Sequence, residues 1–108
     1  VAGRLTSAGY QVIDRNWRTR WGELDIVALQ ERLLVFVEVK ARRSGAFGTA
    51  DEAVSQAKLE RVTGAAMAWL AEHDEYQDHV WRVDLVAVTL DRQGRVQHYA
   101  HYENLTVD

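Results

Sequence analysis

The chain has no cysteine, no proline and a single methionine. Without cysteine, disulfides, thiolate catalysis and Cys-based zinc sites are excluded. The same absence is compatible with a reducing, cytoplasmic home. No apolar run approaches the roughly 18 residues of a membrane-spanning helix, and no secretory-signal pattern opens the chain. Nor is there a repeat, a low-complexity tract or a Pro-, Ser- or Gly-rich linker. What is present, 108 residues with 47% apolar content and four Trp, argues against disorder and reads as one small domain, 1–108, around one core. The opening at Val1 reads as mid-helix, so we expect the first helix to begin upstream of it.

The formal net charge of −3 speaks at first against a nucleic-acid partner. Its distribution is uneven. Residues 1–43 carry eight bases and five acids, whereas residues 44–108 carry five bases and eleven acids. The bases of the first part include Arg15, Arg18 and Arg20, then Lys40, Arg42 and Arg43. A local basic surface can hold phosphates despite an acidic remainder, although the same arginines could simply solvate strand edges.

Val1 to Ala8 reads as a helix tail stopped by Gly9, and Tyr10 to Asn16 as a strand. In Glu23 to Leu29 the alternation predicts Leu24, Ile26 and Ala28 on one face, with Glu23, Asp25 and Val27 on the other. Leu33 to Lys40 (LLVFVEVK) is β-branched and almost continuously apolar, as in a central strand covered on both faces. The short Gln30-Glu31-Arg32 connection predicts an antiparallel hairpin. Ser44 to Gly48 reads as a flexible loop, and Thr49-x-x-Glu52 as a capping box opening a helix to about Glu72. Its buried face is expected to hold Val54, Ala57, Val62, Ala65, Ala66 and Trp69. After a polar connection from His73 to His79, strands are expected over Val80–Leu90 and Val96–Tyr102, with a turn at Gln93-Gly94. The order is helix, three strands, helix, two strands. A right-handed crossover should set the third and fourth strands parallel, giving an α/β sandwich with a mixed five-stranded sheet.

Charge inside the most apolar strands is the informative anomaly. Glu38 and Lys40, two apart, point to one face. In the simplest hairpin register, Asp25 lies near Glu38. Clustered, partly buried carboxylates repel each other and need compensation. Mg²⁺ or Mn²⁺ would supply it, since such ions take one or two carboxylates plus waters and phosphate oxygens. A neighbouring Lys can orient the attacking water and stabilise charge on the phosphate. The bland alternative is a ladder of ion pairs on a solvated strand face.

The stretch Gly9-Tyr10 to Asn16, the string GELDIVA from Gly22 to Ala28, and VFVEVKAR from Val35 to Arg42 resemble the YraN family of bacterial proteins. Phe47-Gly48, Lys58 and Arg82 to Val86 extend the resemblance over essentially the whole chain. That family is similar to Holliday-junction resolvases of the restriction-endonuclease-like fold, the PD-(D/E)xK nucleases. The resemblance implies a three-layer sandwich, Asp25 and Glu38 as metal ligands, Lys40 as catalytic lysine, and Mg²⁺ or Mn²⁺ as cofactor. It also implies DNA, in branched or flapped form, as substrate, and a homodimer as assembly. Leu24 stands where many of these nucleases carry Pro. These nucleases often carry an acidic residue on their first helix, of which this chain is expected to hold only the tail.

Glu23, Gln56 and Lys58 are accessory candidates: Glu23 as a supporting acid or a partner of Arg42, the other two on the helix after the basic loop, near the metal site or on an ordinary exposed face. Arg18, Arg20, Arg42 and Arg43 are candidate phosphate contacts. Asp84 reads as a salt-bridge partner of Arg82 or a buried cap, and the four His as surface residues. Trp17 and Trp21, among arginines, could stack on unpaired bases or pack as core. The expected function is a metal-dependent endonuclease. The alternatives are a silent or partner-dependent nucleic-acid-binding module of the same fold, and a protein-interaction domain using the exposed Trp and the acidic second half.

Overall fold

In the computed structural model, residues 1–43 and 55–105 are described. Helix α1 spans Ala2–Ser7. Strands β1 (Gln11–Thr19), β2 (Gly22–Gln30) and β3 (Leu33–Arg43) follow, then helix α2 (Gln56–Ala71), a short 3-10 turn at Asp74–Tyr76, and strands β4 (Val80–Leu90) and β5 (Val96–Tyr102). The sheet order is β1-β2-β3-β4-β5. Only the β3–β4 pair is parallel, as a strand–helix–strand crossover requires; the other three are antiparallel. The expected α/β class, element order and mixed five-stranded sheet are therefore present.

Two apolar clusters lie on the two faces of this sheet. Leu24, Val27, Leu34, Phe36 and Val83 pack with Val62, Ala65, Ala66 and Trp69 of α2. Trp69 meets Phe36 edge-on at 5.8 Å, and its indole Nε1 donates to Asp14 Oδ2 at 2.9 Å, so its one polar atom is satisfied. Ile26, Ala28, Val35, Val37, Val86 and Val88 pack on the other face with Leu5 of α1 and Tyr10. Successive β3 side chains go alternately to the two clusters, so this strand is buried over Leu34–Glu38. Gly9 ends α1 at φ +98°, a conformation that a side chain would strain.

Three expectations need correction. Helix α2 begins at Gln56, where Ser55 Oγ accepts the Lys58 N–H at 3.1 Å; Ser44–Gly48, the Thr49–Glu52 box and Val54 lie outside the described residues. Ala57 is exposed, because burial along α2 starts only with Leu59 and Val62. Leu24 does not share a face with Ile26 and Ala28: it packs with Val27 under α2. Asn16, with φ +52°, stands in the β1–β2 ladder between the pairs Arg15↔Ile26 and Trp17↔Leu24. This left-handed residue lies opposite Asp25, where the alternation slips.

Candidate active site

The site forms where the sheet forks. The β2–β3 ladder runs from Gln30↔Leu33 to Ile26↔Val37 and stops, yet β2 continues back to Gly22 and β3 on to Arg43. Asp25 and Glu38 are the next residues on each strand. Instead of a backbone partner on β2, the N–H of Val39 finds Asp25 Oδ2 at 2.8 Å. The Asp25 carboxylate thus takes the place of a missing ladder bond, which fixes its position. Glu38 is 7% exposed. Burial and the adjacent Asp25 charge push its carboxyl above the usual Glu range, opposed by Lys58. The Lys58 Nζ lies 3.1 Å from Glu38 Oε1. Lys58 is the third helical residue after the Ser55 cap, so the start of α2 sets the reach of this ammonium.

Asp25 also lines a concave space of about 530 Å³, together with Gly3, Arg15, Asn16, Ile26 and Val39. The start of α1 closes one side of it. Asn16 was not singled out beforehand; the available signal was its type, since Asn is enriched several-fold at positive φ.

The expected residues are distributed as follows. Asp25 and Glu38 come together. Lys40, half-buried two residues beyond Glu38 on β3 and paired with Ala87 of β4 through its backbone, makes no side-chain ion pair or hydrogen bond among the described residues. Of the accessory candidates, Lys58 reaches Glu38. Gln56 instead donates to Glu60 at 3.4 Å on the outside of α2, and Glu23 lies 3.6 Å from Arg18. The fork divides the four arginines: Arg18 and Arg20 belong to the β1–β2 arm, Arg42 and Arg43 to the β3 arm.

Asp84 is fully buried. It accepts from Arg82 Nε at 2.9 Å and from the Asn104 N–H at 2.9 Å, and His101 Nε2 lies 2.7 Å from it. It is both salt-bridge partner and cap. Surface placement holds for His98 but not for the other three histidines, which are half-buried. His73 stacks on Trp69 at 3.8 Å, His79 lies 3.1 Å from Asp78, and His101 is drawn in by Asp84.

The donor set at the fork fits a hard divalent cation. It consists of two carboxylates, one buried and one half-buried beside a concave space. Among the described residues no three His, Cys, Asp or Glu side chains gather, which does not suit a closed, all-protein cage. Two carboxylates leave the remaining positions to water and phosphate, the manner in which Mg²⁺ is held.

Residues 1–88 match the model of the uncharacterised protein family UPF0102. A UPF0102 protein of Beutenbergia cavernae is 52% identical over 101 residues, covering 91% of this chain and 85% of the relative. One from Kineococcus radiotolerans is 50% identical over 99 residues, covering 90% and 81%. One from Rhodococcus opacus is 44% identical over 100 residues, covering 91% and 84%. The chain belongs to the uncharacterised protein family UPF0102, the YraN family that its motifs resemble.

Proposed function

We propose that this protein is a metal-dependent endonuclease that hydrolyses phosphodiester bonds in DNA, of the restriction-endonuclease-like type. The observation that carries the reading is the meeting of Asp25 and Glu38 at the fork, one carboxylate held by a backbone N–H and the other buried. Burying like charges side by side is unfavourable for the fold alone and useful for gripping a cation. Asp25 and Glu38 would hold Mg²⁺ or Mn²⁺, which when bound acidifies a water and offsets charge on the phosphate.

The remaining steps belong to the chain's own groups. Lys40 presents an ammonium on the Glu38 side of β3, to orient the attacking water and stabilise the phosphate as negative charge builds. Lys58 neutralises Glu38 in the free protein; it is 38% exposed at its side chain and can swing away. The arginines of the two arms hold the DNA backbone on either side of the fork.

The test is cleavage of linear, single-stranded, flapped and four-way DNA with Mg²⁺ or Mn²⁺. The wild type should cut at least one of these, and Asp25→Asn and Glu38→Gln should cut none. Lys40→Ala should lose cleavage while keeping DNA affinity within a few-fold, as for a contact made mainly in the transition state. A wild type that binds DNA but cuts none of the four would make the protein a binding module. Lys40→Ala cutting at the wild-type rate would remove that residue's role alone.

A further inference from the structure

The tip of the β1–β2 hairpin carries a group that phosphodiester hydrolysis leaves unused. Trp21 there is 55% exposed. Trp17, from the same arginine-rich stretch, packs against the core under α2, so the structure separates two residues that the sequence leaves equivalent. The Arg20 guanidinium lies over the Trp21 ring, 4.9 Å from its centroid.

The tip is held in place. Thr19 Oγ1 accepts the N–H of Trp21 at 2.9 Å and that of Gly22 at 3.3 Å. Gly22 lies against the backbone of Arg61, and the Trp21 Cβ lies over Gly64, both on α2. Fixing an exposed aromatic in advance lowers the ordering cost of whatever binds it.

We propose that Trp21, with the Arg20 guanidinium against one face of its ring, is a stacking platform for an unpaired nucleobase of the DNA strand entering the fork. A nucleotide offers a π face with a phosphate beside it, which matches an indole that keeps one ring face open and carries a guanidinium on the other. Charge complementarity therefore favours a nucleic-acid strand over an apolar protein surface. Trp21 stands just before β2, four residues ahead of Asp25, about 13 Å at the rise of a strand. That is the axial length of about four stacked nucleotides. Inside a duplex every base is stacked on both faces and presents none without unstacking, so the platform selects DNA with a single-stranded segment next to the bond to be cut. This deepens the nuclease reading and rests on DNA reaching the fork, but its readout is binding rather than cleavage.

The experiment is fluorescence anisotropy of the whole protein with a dye-labelled flapped duplex and a blunt duplex, without divalent metal. Trp21→Ala should weaken flapped-DNA binding by about tenfold or more, the scale of one lost base–aromatic stack, while Trp21→Phe stays within about threefold of wild type. Neither variant should move blunt-duplex affinity by as much as about twofold, since the duplex term is carried by phosphate contacts. Unchanged flapped-DNA affinity in Trp21→Ala overturns the platform, and so does an equal loss on blunt duplex. Trp21→Ala that alters only the protein's sedimentation, leaving DNA binding intact, also overturns it, in favour of a contact between proteins. A wild type that never cuts DNA yet shows the Trp21 dependence removes the hydrolysis and keeps the platform. An active nuclease without the dependence removes the platform alone.

Discussion

Glu38 couples the stability of the fold to pH. Burial and the Asp25 charge raise its pKa above the ordinary value of 4.5, so the folded protein holds more protons than the unfolded chain in the window above that value. Stability therefore falls as pH rises through the raised pKa and is recovered as pH falls back through it. Glu38→Gln, which removes the charge and keeps the shape, should raise the melting temperature at neutral pH. The gain should shrink toward zero as the pH drops into the ordinary carboxylate range, as thermal melts across that range will read. Protons and metal compete for the same oxygens, so Mn²⁺ affinity by calorimetry should climb with pH over the same window. Equal Mn²⁺ binding by wild type and an Asp25→Ala, Glu38→Ala double variant would remove the metal site. Asp25 and Glu38 were legible beforehand because charge inside apolar strands is conspicuous. Lys58 stood as an accessory candidate from the resemblance alone; its pairing with Glu38 could not be read from the residues, because whether the first turn of a helix overhangs a given strand depends on packing that no local pattern encodes. The Asp84 neighbour of His101 is long-range for the same reason, 17 residues away in the chain.

The fork makes the β1–β2 hairpin an arm whose tip leans on α2 through Gly22 and Trp21. A Cβ at Gly22 would stand 3.3 Å from the backbone oxygen of Arg61, whereas one at Gly64 would meet only the Trp21 Cβ at 3.7 Å. Gly22→Ala should accordingly destabilise by about 1 kcal/mol through overpacking. Gly64→Ala, inside a helix with room for the methyl, should stabilise by about 0.5 kcal/mol. Urea titrations of the two variants should move in opposite directions. If the two arms hold phosphates, neutralising Arg18, Arg20, Arg42 and Arg43 should lower the slope of log affinity against log salt by about 0.9 per lost contact on duplex DNA. An unchanged slope would return these arginines to solvation. Strand positions, the hairpin and the parallel crossover could be read from periodicity and loop length. The start of α2 could not, since Thr49 and Ser55 are both competent caps. The alternation slip was hidden because it depends on one backbone dihedral at Asn16.

Across the whole molecule, the acidic second half supplies the fold's buried electrostatic anchor as well as its solvated surface. Asp84 ties Arg82, His101 and the backbone at Asn104 together, beside a Leu105 N–H that donates to the Val83 carbonyl at 2.7 Å. Asp84→Ala strands the half-covered Arg82 guanidinium, and denaturant unfolding should show a loss of about 3 kcal/mol. Lack of such a loss would mean that Tyr10 and Glu103, which also approach Arg82, satisfy it unaided. The forked sheet has its own kinetic signature. In the closed stem, amide protons of β2 and β3 are locked in ladder bonds, and their deuterium exchange should track global unfolding. The Val39 amide is guarded by a single side chain. In an Asp25→Ala protein it should exchange orders of magnitude faster while Val35 and Val37 stay slow, making that one proton a clock for the position of the Asp25 carboxylate.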